Sequence, residues 1–291
     1  MDRAAPTIAN FLNPARSSCT VGYIEEVLEF TDHVEGGFYA VVHEILESPF
    51  WHSQNFLDNP YKPLCLVLAK EIDALSISKA EPAYHSRQHL KDVCLMLSCL
   101  LMQDQCFSSG QAPENPWESS RKENWLLLLA AIGHDFCHPG LINKAPFEIE
   151  KNSLALLEVF FNHAQIDDNL KKSIFTQLSP WIMATDPAAY PALLTKFINQ
   201  EASHEDCLAM LLVEADLIAS VLPVKGQQLG ARLGEEWRIA NPSRAESVKS
   251  SRGRIKFLEN LRFMSPHATA LRVEQIRLNS ISALANLKFR D

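Results

Sequence analysis

Apolar residues recur at helical spacing along almost the whole chain. Their three- and four-residue period predicts helices over Tyr23–Thr31, Phe38–Leu46, Leu64–Leu75, His89–Met102 and Trp125–Phe136. It does the same over Ile149–Phe161, Leu170–Met183, Ala192–Ile198, Asp206–Leu222 and Ile255–Met264. After the break at Ser265-Pro266 a last helix is expected from about Ala268 to Leu287. No segment sustains an alternation of period two, so the expected fold class is all-α, one compact multi-helix domain. Two stretches read as loops: Gln103–Asn124, with Ser108-Ser109-Gly110, Pro113 and Pro116, and the Ser- and Arg-rich Asn241–Arg254. Both are too short to part domains. Residues 1–80 are expected to form N-terminal helices packed on a core spanning 81–291, the two making one structural unit.

Composition adds limits. With 291 residues and 47% hydrophobic content, the chain can bury a large core without disulfides or a structural metal. Its ten glycines suit a helical protein better than a barrel or sandwich. A net charge of −8 argues against long nucleic acids, which need a basic footprint. A small anionic ligand stays possible where cations make a pocket locally positive. Seven cysteines (Cys19, Cys65, Cys94, Cys99, Cys106, Cys137, Cys207) form no C-x-x-C pair, the usage of a reducing compartment. Of these, Cys94, Cys137 and Cys207 lie in apolar stretches and read as small buried hydrophobes. Asp2, Arg3, Asn10, Asn13 and Arg16 interrupt the first twenty residues, unlike a signal peptide, and no later run spans a membrane without polar interruption. The expected location is cytoplasmic, with no membrane partner.

Candidate chemistry lies in metal-type ligands on an apolar background. They are Tyr84-His85-Ser86-Arg87-Gln88-His89, then His134-Asp135-Phe136-Cys137-His138-Pro139-Gly140, then Glu214-Ala215-Asp216-Leu217. His85 and His89, four apart, share a helix face. The pair His134-Asp135, inside the run Leu126–Phe136, sets nitrogen and oxygen donors together in a helix built to be buried. Burying that charge is costly unless a divalent cation compensates it. Such an ion lowers the pKa of bound water, and a nearby protonated histidine can hand its proton to a departing alkoxide. His33, His43, His52, His163, His204 and His267 couple to no motif and read as satisfied core residues. The pair Glu235-Glu236 reads as a solvated face.

These residues resemble the catalytic domain of class I cyclic-nucleotide phosphodiesterases, a branch of the HD metal-phosphohydrolase superfamily. The first family motif, Tyr-His-Asn-x-x-His-Ala-x-Asp-Val, reads Tyr84-His85-Ser86-Arg87-Gln88-His89-Leu90-Lys91-Asp92-Val93. The second, His-Asp-x-x-His-Pro-Gly-x-x-Asn, is complete from His134 to Asn143. Ala184-Thr185-Asp186 and Ala215-Asp216-Leu217 supply the third and fourth in order. The resemblance implies a helical domain over 81–291 with a dinuclear metal pocket. His89, His134, Asp135 and Asp216 would hold zinc, and Asp135 would bridge to a second ion, magnesium or manganese. His85 would be the general acid. His138 and Glu150 would position waters of the second ion, with Asn143, Thr185 and Asp186 around them. Tyr84, Arg254 and Phe257 would contact substrate, Phe257 as the clamp on the base. The implied reaction is hydrolysis of a small anionic phosphodiester, a 3′,5′-cyclic nucleotide, to its 5′-monophosphate by a metal-bridging hydroxide.

Departures from the family pattern keep two rivals in view. Arg254 stands where the family has the glutamine that reads the purine edge, and a donor-only guanidinium recognises different partners from an amide. Ala219-Ser220 stands where an Asn is expected, and Asn152-Ser153 replaces a double histidine. The first rival is therefore an HD-type phosphohydrolase acting on a different phosphoester. The second is a non-catalytic binding module, against which the intact ligands and His85 argue.

Overall fold

The computed structural model describes residues 7–14, 21–103 and 115–287. Cys19 and Cys106, and most of the proline-rich loop ahead of Asn124, lie outside the described residues. Among the described residues every regular element is a helix, so the all-α expectation holds. In chain order these are α1 (Ile8–Phe11), α2 (Val21–Asp32), α3 (Gly37–Leu46), α4 (Pro49–Ser53), α5 (Tyr61–Ser78), α6 (Arg87–Leu101), α7 (Arg121–Gly133) and α8 (Glu148–His163). They continue as α9 (Asp168–Met183), α10 (Tyr190–Ile198), α11 (His204–Val221), α12 (Lys225–Glu236), α13 (Pro242–Lys249), α14 (Ser251–Asn260), α15 (Pro266–Ala270) and α16 (Val273–Leu287).

Three helices form the centre, and their sequences explain why. Every residue of α6 from His89 to Leu101 is buried, as is every residue of α7 from Asn124 to Gly133. In α11 burial is nearly continuous from Cys207 to Val221. A helix apolar on all sides must be covered on all sides. Accordingly α6 packs on α11, α7 and α3, while α5 covers α7 and α3, and α2 covers α6. Ser120 with Glu123 and Ser203 with Asp206 close reciprocal capping boxes that start α7 and α11. Trp51 packs on Trp125 at 4.9 Å and donates its indole N–H to Ser98 Oγ at 2.9 Å, stitching α4, α6 and α7 together.

The structure corrects several expectations. Helix α7 stops at Gly133 rather than Phe136, so Asp135 lies in a turn beyond it. That turn is closed by Phe136 N–H to Gly133 O and His138 N–H to Asp135 O, with Cys137 at a left-handed φ of 60°. Cys137 is exposed, not a buried hydrophobe. The stretch Asn241–Arg254 is not a loop: Asn241 caps α13, Pro242 begins it, and Ser250 caps α14. Helix α14 ends at Asn260, and the last helix is broken at Arg272, whose φ is 57°. Of the six uncoupled histidines only His267 is buried; the other five are exposed. No single helix among the described residues is long and apolar enough to cross a membrane.

Candidate metal centre and proton donor

The central helices converge on one cluster. His89 lies in the first turn of α6, His134 follows the last residue of α7, Asp135 is next to it, and Asp216 comes from the later half of α11. His89 Nε2 is 3.4 Å from Asp135 Oδ2 and 3.0 Å from Asp216 Oδ1. His134 Nε2 is 3.3 Å from Asp135 Oδ2 and 3.9 Å from Asp216 Oδ1. All four residues expected to ligate one ion are thus brought together.

Two observations fit a divalent cation at this place. Buried His134 Nε2 has no hydrogen-bond partner, while Nδ1 bonds the Ala131 carbonyl oxygen at 2.9 Å. A ring nitrogen tied to a backbone carbonyl leaves the other as a lone pair aimed inward, the usual support of a ligating histidine. The donor set, two imidazoles and two carboxylates, suits zinc and similar ions. Electrostatics agree. Burial opposes a charged His89, yet Asp135 and Asp216 outweigh it and raise its pKa to about 10. Burial likewise opposes ionised Asp135, but His134 and His85 hold its carboxyl well below the usual range. Without a metal, protons compensate the carboxylates.

That sign gives a measurable consequence. A ligating His89 must be neutral, and below a pKa of about 10 it is protonated. Binding of a divalent ion near pH 7 is therefore expected to release at least one proton. Affinity should then rise by about tenfold per pH unit below that pKa. Calorimetry of zinc binding in buffers of different ionisation enthalpy measures the number released, and a value of zero contradicts the assignment.

Beside the cluster stands a second group. His85 Nδ1 is 2.6 Å from Glu236 Oε1, and Glu236 Oε2 accepts the backbone N–H groups of Tyr84 and His85 at 2.8 and 3.0 Å. Glu236 ends α12 with its side chain only 3% exposed. The solvated-face reading holds for exposed Glu235 and fails for Glu236. Burial opposes its charge, but the His85 hydrogen bond holds its pKa below the ordinary value. His138 stacks on His85, ring centroids 3.6 Å apart and planes 22° from parallel. Its Nδ1 accepts the Gly140 N–H at 3.0 Å, which places the ring proton on Nε2, and burial pushes its pKa down to about 4.

His85, His138 and Glu236 are close enough together to suggest another ion site. The stacking argues otherwise, since the lone pairs of near-parallel rings lie in separate planes. Gly140 makes room for the group: φ is +70°, and a Cβ there would lie 3.0 Å from Pro82 Cβ and 3.3 Å from Glu236 Cγ. Gly140→Ala is expected to cost about 1–3 kcal/mol for the left-handed backbone alone. Thermal unfolding measures that loss, and an unchanged midpoint contradicts the crowding.

The other expected residues divide. Asn143 Nδ2 donates to Glu150 Oε2 at 2.9 Å, and Asn143 Oδ1 accepts the Ile149 N–H at 2.8 Å. Asp186 accepts the N–H groups of Phe147 at 2.6 Å and Ala188 at 2.8 Å. These bonds brace the segment between the second motif and α8. Burial raises the pKa of Glu150, and the charges of Asp186 and Asp135 add to it. Thr185 donates to Ile182 O, a local helix-end bond. Tyr84 packs against His89 at 4.8 Å and His85 at 4.7 Å, within the cluster. Glu214 points elsewhere: it accepts from Met264 N–H, Ser265 N–H and the Ser265 hydroxyl.

Arg254 is 7% exposed, donates Nη2 to Leu222 O at 2.9 Å beneath Gly226, and leaves Nε and Nη1 without partners. Burial lowers its pKa to about 10, so it is still charged at neutral pH. Phe257, on the same helix, is 41% exposed. A cavity of about 170 Å³ adjoins the centre, lined by Asp135, His85 and His138 together with Leu75, Pro82 and Phe136. Arg254 and Phe257 do not line it.

Among the described residues the chain is all-helical, and its three core helices deliver a His2Asp2 cluster next to a carboxylate-held histidine. The fold is similar to that of a solved phosphodiesterase catalytic domain: the Leishmania phosphodiesterase LmjPDEB1 in complex with IBMX matches it with a TM-score of 0.64. That match has 14% sequence identity and covers 94% of this chain and 90% of the other. No protein-family model matches the sequence, and no curated protein matches it.

Proposed function

We propose that this protein is a metal-dependent phosphodiesterase that hydrolyses a 3′,5′-cyclic nucleotide to its 5′-monophosphate. The observation that carries the reading is the juxtaposition of the His89, His134, Asp135 and Asp216 cluster with His85, whose Nδ1 meets buried Glu236 at 2.6 Å. The four residues would hold a divalent ion, and Asp135 would also serve a second. Bound ions supply Lewis-acid activation of water and neutralise charge growing on phosphoryl oxygens.

The rest is done by side chains. Glu236 accepts the Nδ1 proton of His85 and so leaves Nε2 as the nitrogen that gives a proton to the departing ester oxygen. His138 backs the donor ring as a neutral plate. Asn143 and Asp186 hold the segment that leads into α8, whose first turn carries Glu150. Leu75, Pro82 and Phe136 give the adjoining cavity an apolar part, beside Ser76, Lys79 and Arg87.

Arg254 favours the second reading, a different phosphoester. It is buried on the Leu222 carbonyl oxygen and not on the cavity wall, so it does not present a guanidinium to a base at that wall. A screen of the zinc- and magnesium-loaded protein separates the two readings. Cyclic AMP and cyclic GMP hydrolysed faster than a cyclic dinucleotide or an aryl phosphodiester supports the first; turnover of the non-nucleotide ester alone supports the second.

A further inference from the structure

We infer that helix α2 is a positioning element for the proton donor. It grips the start of α12 through Glu25 and Asp32 so that Glu236, at the far end of α12, is held against His85. This rests on the reading of His85 as the donor. Helix α12 packs chiefly on α11 and α13 and meets α6 at few points, so its place beside the His85 segment depends on what pins its ends. Glu236 pins one end.

The other end is pinned by buried Lys225. Its Nζ lies 3.0 Å from Asp32 Oδ1 on α2 and 3.0 Å from Asp92 Oδ2 on α6. Asp92 is fully buried about one turn beyond His89. The backbone N–H groups of Val224 and Lys225 donate to Glu25 Oε1 at 2.7 and 3.1 Å, which sets an α2 carboxylate at the positive end of α12. In return, Lys91 of α6 donates Nζ to Thr31 O at the end of α2, at 3.1 Å. Helix α2 is thus locked to α6 and carries two of the carboxylates that hold α12.

An exposed ion pair would fix little. Lys225 and Asp92 are inside, where an ammonium stripped of its partners is costly, so their geometry is enforced. Twelve helical residues make a stiff rod of about 18 Å, so a shift at Lys225 reaches Glu236. None of these groups lines the cavity, and only Asp92 interacts with a metal ligand, through the charge of His89; Glu25, Asp32 and Lys225 act through Glu236.

The test uses the full chain loaded with zinc and magnesium and compares wild type, Lys225→Met and Asp32→Asn. Turnover is measured on a phosphodiester with an alkoxide leaving group and on a p-nitrophenyl phosphodiester. The third readout is the downfield proton resonance of the His85–Glu236 hydrogen bond, assigned by its loss in His85→Asn. Lys225→Met is expected to lose up to about 10²-fold on the alkoxide ester, the loss a small misplacement produces, against less than about threefold on the nitrophenyl ester. Bound metal stays unchanged and the His85 resonance shifts or broadens. Asp32→Asn, which leaves Lys225 paired with Asp92, gives a smaller loss of the same pattern and decides the matter alone if Lys225→Met does not fold. Equal losses on both esters, or an unmoved resonance in the variants that fold, overturn the proposal. If wild type hydrolyses neither ester, the reading of His85 as donor fails, while the resonance still shows whether α2 holds Glu236 in place.

Discussion

Asp135→Ala is expected to empty the centre of metal and abolish turnover while the protein stays folded. Asp135 Oδ2 is the oxygen shared by both imidazoles, 3.4 Å from His89 Nε2 and 3.3 Å from His134 Nε2. Without it one carboxylate, Asp216, must serve two buried nitrogens. Loss of a supporting partner alone lowers metal affinity by about 10–100-fold, and loss of a ligand should exceed that. The fold should survive for two reasons. Asp135 lies in the turn beyond α7, outside its buried run, and Asp216 still stands 3.0 Å from His89. Metal analysis of the purified variant, with thermal unfolding alongside, checks both halves. Full occupancy with normal turnover contradicts the ligand role.

His85→Asn should keep its metal and lose turnover by roughly 10²–10⁴-fold on an ester with a poor leaving group. The residue lies outside α6, ahead of the extended cap Ser86, so it does not share a helix face with His89 as the spacing suggests; it is bonded to Glu236, not to the His89 cluster. An asparagine still reaches Glu236 with an N–H, so the local packing is largely kept. A nitrophenolate leaves without a proton and should suffer far less. Loss of bound metal, or equal loss on both esters, would mean that His85 holds the structure and donates no proton.

How much of this was legible in the sequence differs residue by residue. His89, His134, Asp135 and Asp216 could be picked out because buried charge on an apolar helix demands a partner, and the motif order names four such places. Their convergence follows from α6, α7 and α11 being apolar on every side. The helix boundary at Asp135 was less visible: the periodicity runs on through Phe136, and only Cys137 in a left-handed conformation shows that the chain has turned.

Glu236 was missed for a different reason. Helix α12 has few apolar residues and buries only Lys225, Gly226, Leu229 and Gly234, so no stripe marks it. The acid and the histidine it serves are 151 residues apart. A usable signal existed, since a donor histidine needs an acceptor on its second nitrogen, but any of many carboxylates could have filled that role. Helix α13 was hidden likewise, with Ala245 its one buried residue. At Arg254 the sequence suggested a contact with substrate, and the structure buries the side chain under Gly226. Spacing within a motif says which helix face a residue shares, not what lies across from it.

The most direct measurement is turnover by one protein sample in three states: as loaded with zinc and magnesium, after removal of metal by a chelator, and after metal is restored. With a cyclic nucleotide as substrate, the expected result is a 5′-monophosphate product in the first and third states and none in the second. Failure of the reloaded protein to cleave a cyclic nucleotide or an aryl phosphodiester, or hydrolysis undiminished by chelation, would contradict a metal-dependent phosphodiesterase.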